Sequence, residues 1–143
     1  MSTIYTKYIK TISKMNASQF LINKLKSNSI NTIFGYTGGA ILPAFDSLKQ
    51  SNMKFIMNRD EQCNGHSAQG YAKTTGNIGV SMVTSGPGVT NSITPLQDAY
   101  SDGVPLLLLS GQVNTSSLGT DAFQECPAIE LTKSCTKWNF QVT

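Results

Sequence analysis

Ile78-Gly79-Val80-Ser81-Met82-Val83-Thr84-Ser85-Gly86-Pro87-Gly88-Val89-Thr90-Asn91 is the stretch that decides the fold. Ile78 to Thr84 reads as a short apolar strand, and Ser85-Gly86-Pro87-Gly88 stops it. Pro87 or Gly88 then starts a helix that should run to about Asp102, with Pro95 kinking or interrupting it. A strand that passes through a glycine turn into a helix is half of a strand-helix-strand unit.

The same alternation continues on both sides. Upstream, Asn16-Ala17-Ser18 offers N-caps, and Ala17, Phe20, Leu21 and Leu25 fall at helical spacing, so Ala17 to Ser27 reads as an amphipathic helix. Thr32-Ile33-Phe34 is a strand stopped by Gly35-Tyr36-Thr37-Gly38-Gly39, and Ile41 to Lys49 is a helix with Pro43 in its first turn. Lys54 to Met57 is the next strand and Glu61 to Thr75 the next helix. Downstream, Val104 to Ser110, unbroken from Leu106 to Leu109, reads as a strand covered on both faces. Strands alternating with helices predict an α/β fold, a parallel sheet with helices on both faces and right-handed crossovers. The organisation expected is an N-terminal extension over 1–15 and one domain over 16–143.

Composition narrows the function classes. A chain of 143 residues suits one domain, which buries roughly two thirds of the surface its unfolded chain exposes. Hydrophobic residues make up 39% and no apolar run is long enough to span a bilayer, so a soluble protein without membrane association is expected. The net charge is +3, yet Arg59 is the only arginine, which argues against nucleic-acid binding because bidentate reading of phosphates and bases relies on Arg. Cys63, Cys126 and Cys135 lack a Cys-x-x-Cys pairing and imply free thiols in a reducing compartment. With the single His66 they do not supply zinc spacing, and Asp98, Asp102, Asp121 and Glu125 suggest no metal either. Met1 to Phe45 carries Lys7, Lys10, Lys14, Lys24 and Lys26 without an acid, the bias of an organellar transit peptide, but it lacks the arginines such peptides favour. A cytoplasmic location is expected, with mitochondrion or plastid as the alternative.

In parallel sheets, ligands sit outside the carboxyl ends of the strands. Those ends are 35–39, 58–62, 85–91 and 111–121. Taken alone, each motif there is ambiguous. Glycines after a strand are often turn formers. Ser85 to Gly88 could cradle an anion at a helix N-terminus, but Pro87 removes a donor and no P-loop ending follows. Glu61 could be a first-turn acid contributing about 0.3 to 1 kcal/mol through the helix dipole. His66, on the same helix, reads as packed and hydrogen-bonded.

Order and wording together resemble one family. Ile33 to Pro43, Arg59 to Tyr71, Thr84 to Asn91, Gly111-Gln112-Val113, Gly119-Thr120-Asp121-Ala122-Phe123-Gln124-Glu125 and Ser134 to Asn139 closely resemble the large catalytic subunit of acetolactate synthase, over nearly the whole chain after Asn16. The resembling region is the N-terminal domain that holds the aminopyrimidine of thiamine diphosphate. The resemblance implies decarboxylation of a 2-oxo acid such as pyruvate and joining of the two-carbon unit to a second 2-oxo acid, in branched-chain amino acid biosynthesis. It casts Glu61 as the carboxyl that hydrogen-bonds the pyrimidine ring nitrogen and promotes its imino form. Gln124 matches a glutamine beside the cofactor. Tyr36, Gly38 and Gly39 match the turn lining it, and Gly88 and Asn91, in the Ser85 to Asn91 turn at the pyrimidine domain and the subunit interface, are implied as further cofactor-binding residues. Gly103 stands where relatives place a residue near FAD. Diphosphate, magnesium and most FAD contacts lie in other domains of the family, and no Gly-Asp-Gly motif occurs in these 143 residues.

A carboxyl exchanging a proton with a ring nitrogen works best with a pKa near the operating pH, above its ordinary value of about 4.3. Burial under a closing partner surface is the effect expected to supply that rise.

The departures are Asp60 for the usual histidine, Thr37 for proline, Cys63-Asn64 for smaller residues facing the site, and Gln69 for an acid. Relatives also continue beyond the position of Thr143, so the sheet is expected to be short of its C-terminal strand, with an open edge. Two classes follow. One is an enzyme component, inactive alone, working as a homodimer or with a chain that carries the diphosphate-binding domain. The other is a non-catalytic relic or interaction module that dimerises through Ser85 to Asn91.

Overall fold

The structure, a computed structural model, describes residues 15–142, so nearly all of the expected extension over 1–15 lies outside the described residues. Strands and helices alternate, with two helices between β3 and β4: α1 (Ala17–Ser27), β1 (Thr32–Gly35), a 3-10 turn (Gly39–Ile41), α2 (Leu42–Lys49), β2 (Lys54–Ile56), α3 (Glu61–Thr75), β3 (Gly79–Val83), α4 (Pro87–Thr90), α5 (Ile93–Ser101) and β4 (Leu106–Ser110). Beyond β4 the chain runs as loops, a 3-10 turn (Thr115–Ser117), α6 (Ala128–Thr132) and a last 3-10 turn (Lys133–Cys135).

The four strands form one parallel sheet in the order β2-β1-β3-β4. Alternation along the strands sorts the side chains. Ile33, Val80 and Met82 join Ile22, Leu25, Ile41, Ala44 and Leu48 in one core beneath α1 and α2, with Leu107 and Leu109 packed against it. Phe34 points to the opposite face, where its ring lies 5.9 Å from that of Tyr71 on α3. Helices therefore cover both faces, as the pattern predicts.

The small residues of α3 have a packing role. A Cβ on Gly79 would meet the backbone of Ala68, and one on Gly65 would meet the Pro95 ring, so α3 lies close on both β3 and α5. The helix ends are equally local in cause. Asn16 and Gln19 form a reciprocal capping box at α1, the Asp60 side chain accepts from Cys63 N at α3, and Gly76 ends α3 at φ 72.

Two expectations need correction. The helix after Ser85 is broken at Asn91-Ser92, one turn in, and Pro95 does not interrupt it. Pro95 occupies the first turn of α5, where a missing N–H leaves no bond unmade. β4 is less fully covered than expected: Leu107 and Leu109 pack on the core and β4 also contacts α3 and α5, but it pairs only with β3 at the sheet edge, and Leu106 to Leu109 are each partly exposed. An unbroken apolar run also suits an edge strand whose second side is open.

The order β2-β1-β3 reverses the direction of sheet growth at β1. Such a reversal opens a crevice at the carboxyl ends of the two strands that flank it, here β1 and β3.

Candidate functional site

The carboxyl ends of β1, β2 and β3 deliver three loops to this crevice, and packing knits them together. Tyr36 N donates to Met82 O at 3.1 Å, continuing the β1–β3 ladder past the strand end. Gly38 lies on the side chain of Thr84. Gly88 lies on Val83 and Thr84, where an added Cβ would come within 3.2 to 3.3 Å of their side chains. Beside Gly39 there is open space, with nothing within 4 Å of an added Cβ. Thr84 Oγ1 is enclosed and has no hydrogen-bond partner among the described residues.

Glu61 is the first residue of α3 and only 8% exposed. Its Oε2 accepts from Asn91 Nδ2 at 2.9 Å, and its Oε1 accepts no bond from the described residues. Asn91 is itself set by α4, through a bond from its backbone N to Pro87 O at 2.9 Å. The loop before Glu61 is held independently. Asn64, fully buried, accepts from Asn58 N and donates to Asp60 O, at 3.0 and 2.8 Å, while Asn58 Nδ2 donates to Ser67 Oγ. The expectation that Asn64 faces the site is corrected by this arrangement, since Asn64 turns inward to brace the loop, while Cys63 is exposed beside Asp60. The Cys63 thiol is held above its ordinary pKa, chiefly by its bond to Asp60, and so is poorly disposed to be a thiolate. Asp60 is lowered, chiefly by the bond from Cys63 N, as expected of an N-cap carboxylate.

Gln124 is exposed, but its backbone is fixed against the α4 turn. Gly86, at φ 51, packs so tightly on Gln124 that a Cβ would lie 2.6 Å from Gln124 O. Burial raises the pKa of the neighbouring Cys126 thiol, and the Gly86 backbone N–H facing that thiol opposes the rise. The loop carrying Gln124 is organised by Glu125, whose Oε1 accepts from Gly119 N at 2.5 Å and Oε2 from Ala122 N at 3.1 Å. The Gly119 N–H first, then the other backbone N–H groups of the loop, hold the Glu125 carboxyl below its ordinary pKa.

The structure thus brings together Glu61, Asn91, Gly38, Gly88 and the Gln124 backbone around the ends of β1 and β3. Tyr36 begins the same β1 loop. Gly103 is not part of the group: at φ 65 it ends α5 ahead of β4, on the amino edge of the sheet. Ser85, Gly88 and Val89 are buried within the domain, leaving Pro87, Thr90 and Asn91 as the exposed part of that turn. His66 lies outside as well, 3.8 Å from Asp98 on the half-exposed surface of α3 and α5.

Thr84 and Glu125 carry structural roles at the site that sequence reasoning missed. A hydroxyl at a strand's carboxyl end was a signal for Thr84. Glu125 had none, because its partners are backbone groups that no side-chain spacing reveals. Among the described residues no group of His, Cys, Asp or Glu could hold a metal, and no helix is long and apolar enough to cross a membrane.

Residues 15–131 match the family described as thiamine pyrophosphate enzyme, N-terminal TPP binding domain. The chain is 46% identical over 129 residues to the mitochondrial acetolactate synthase catalytic subunit of Saccharomyces cerevisiae, covering 90% of this chain and 19% of that protein. It is 45% identical over 137 residues to the acetolactate synthase large subunit of Lactococcus lactis, covering 95% of this chain and 24% of that one. For the acetolactate synthase isozyme 2 large subunit of Escherichia coli the identity is 44% over 128 residues, covering 90% and 23%. The chain therefore spans about a fifth to a quarter of the length of these relatives.

Proposed function

Because the chain belongs to the thiamine pyrophosphate enzyme family through its N-terminal TPP binding domain, we propose that the crevice between β1 and β3 receives the pyrimidine end of thiamine diphosphate and that Glu61 exchanges a proton with it. The observation that carries this reading is Glu61 itself, buried at a loop-helix junction with Oε2 tied to Asn91 and Oε1 unengaged. The rest of the crevice fits a flat polar ring: an open space beside Gly39, an enclosed hydroxyl on Thr84 and a Gly88 lying flat against the strand end. Tyr36 and Gly38 lie on one side, and the exposed Gln124 stands on the loop whose backbone packs on Gly86. When bound, the cofactor supplies a carbanion equivalent able to add to the carbonyl of a 2-oxo acid. The chain's contribution is to hold the ring edge, exclude water from the Glu61 carboxyl and hold or release a proton at that carboxyl.

The reaction proposed is that of an acetolactate synthase, decarboxylation of pyruvate and carboligation to a second 2-oxo acid. Its support is the similarity of this domain to the yeast and bacterial proteins. The diphosphate and magnesium would be held by residues other than these 143, in a homodimer or on a partner chain, since no Gly-Asp-Gly segment is present here. If Gly103 contacts FAD, it does so on the amino edge of the sheet, apart from Glu61. The compartment proposed is the cytoplasm. A mitochondrial or plastid location is the alternative, supported by the acid-free, Lys-bearing N-terminal segment and by the mitochondrial fungal relatives.

Titration calorimetry of the 143-residue chain with thiamine diphosphate and magnesium should show weak binding or none, and micromolar affinity would overturn the division of the site between domains. In a complex reconstituted with a diphosphate-binding domain, Glu61→Gln should abolish most carboligation with the fold intact. Unchanged product formation would remove Glu61 from its role.

A second reading, an interaction module without turnover, is favoured by one feature. Trp138 and Phe140 stack with ring centroids 6.0 Å apart and remain 73% and 68% exposed. Sedimentation of the chain at rising concentration tests it; a monomer throughout would count against self-association.

A further inference from the structure

We infer that Asn91 assigns different tasks to the two oxygens of Glu61, fixing Oε2 as a permanent acceptor and leaving Oε1 as the oxygen that holds and releases the proton. The inference rests on the proposed role of Glu61 and deepens it by naming the atom and a positioning residue.

The argument begins with the chemistry of the amide. Asn91 Nδ2 has hydrogens to donate and no lone pair with which to accept. Its bond to Oε2, at 2.9 Å, therefore requires Oε2 to be the acceptor. A proton placed on Oε2 would point at that N–H and break the bond, unless the amide of the exposed Asn91 turned over to present Oδ1. A proton placed on Oε1 costs no such bond. The neutral carboxyl is thus Oε1–H with Oε2 still bound to Asn91. When Oε1–H transfers its proton to a ring nitrogen, the carboxylate left behind keeps the same donor on Oε2.

Geometry makes the assignment rigid. Asn91 follows directly on α4 and its backbone N is bonded to Pro87 O, while Ser92 Oγ is bonded to Gly88 O at 2.7 Å, so the amide is presented by a fixed turn. Glu61 is anchored from the other side by the Asp60 N-cap and the Asn64 brace. Both backbones are thus fixed, and the bond between Glu61 and Asn91 is the one side-chain hydrogen bond that either residue makes among the described residues. Oε1 is engaged by no described residue and is not among the fully enclosed polar atoms lacking a partner. It is the oxygen left free to engage a ring nitrogen.

The inference can be tested on the chain without cofactor, by following the Asn91 side-chain amide resonances through the acid titration of Glu61. The hydrogen-bonded Nδ2 proton should stay displaced downfield when Glu61 is neutral. Its collapse to the free-amide position as Glu61 takes up a proton would show protonation at Oε2 and overturn the inference. Glu61→Gln supplies the neutral state without acid. Its carbonyl should accept from Asn91 and its NH2 should occupy the Oε1 position, so the displaced resonance should persist; its loss in a variant whose backbone spectrum is otherwise native also overturns the inference. Asn91→Asp places two carboxyls in contact, which must share a proton between Oε2 and the new side chain. In the reconstituted complex this variant should lower kcat with the KM for thiamine diphosphate little changed, and Asn91→Ser, which restores a donor, should recover part of the loss. Equal losses in both variants would reduce Asn91 to a packing residue. Carboligation that survives Glu61→Gln would refute the proposed function itself, whatever the amide resonances show.

Discussion

Gly38 rests directly on Thr84: a Cβ on residue 38 would lie 2.5 Å from Thr84 Cβ and 2.6 Å from its Oγ1. Gly38 is fully extended, at φ −178, so the backbone tolerates any residue and the contact alone demands glycine. Gly38→Ala should therefore destabilise the domain by about 1 to 3 kcal/mol, the ordinary cost of overpacking. Because the collision is with Thr84 Cβ itself, Thr84→Ala should not rescue it, whereas Thr84→Gly should. A double-mutant cycle by urea denaturation reads the coupling, and rescue by Thr84→Ala would show that the loop moves and the collision is not fixed.

Gly86 carries two demands at once, a left-handed φ of 51 and contact with Gln124 O. Gly86→Ala should cost about 1 to 3 kcal/mol from strain and displace the loop over 119–125. Hydrogen exchange should quicken at Gly119 and Ala122 while α1, which packs in the core with α2, keeps its protection. Uniform loss of protection would instead indicate global destabilisation.

The Glu125 carboxyl predicts an acid-labile loop. Its pKa in the fold is below the unfolded value of about 4.3 to 4.5, so its contribution is fully present above that value and is lost as pH falls through the lower, folded pKa. Protection of the Gly119 amide, taken relative to the intrinsic exchange rate at each pH from 6 to 3, should fall at the acid end. In Glu125→Gln protection should be low at every pH, without that acid step. An acid step that persists in Glu125→Gln would assign the effect to another carboxyl.

Ile33 and Leu108 occupy neighbouring regions of the sheet but differ in surroundings, Ile33 fully buried in a central strand and Leu108 partly exposed on the edge. Ile33→Ala should cost about 2 to 5 kcal/mol by loss of packing and formation of a cavity. Leu108→Ala should cost clearly less. Denaturation midpoints decide, and equal losses would mean that the β4 edge is better covered than the structure shows.

Much of the fold was legible because its causes are local. The ends of α1 and α3 follow from Asn16 with Gln19, and from Asp60 with Gly76, all caps that act within a turn of themselves. The break at Asn91-Ser92 was missed because attention falls on Pro95, whose missing N–H matters only beyond a helix's first turn. The edge position of β4 was missed because an apolar run records composition and not the number of its neighbours. At the site, Glu61 and Asn91 were both nameable, through a family resemblance, yet their bond joins residues 30 apart and is a property of the sheet order. Glu125 was invisible as an organiser since every group it holds is backbone.

The order β2-β1-β3 has a consequence for assembly. Glu61 follows β2 and Asn91 follows β3, and β1 lies between those two strands. Their bond is therefore an arch over the end of a strand that precedes both in the chain. A polypeptide beginning at β2 would contain both residues but not the spacer that sets their separation, and direct pairing of β2 with β3 would bring their loops one strand width, roughly 4.8 Å, too close. The arch can form only after residues 32–35 are threaded between its two supports. The displaced amide resonance of Asn91 is thus also a clock for folding, since it can appear no earlier than the insertion of β1.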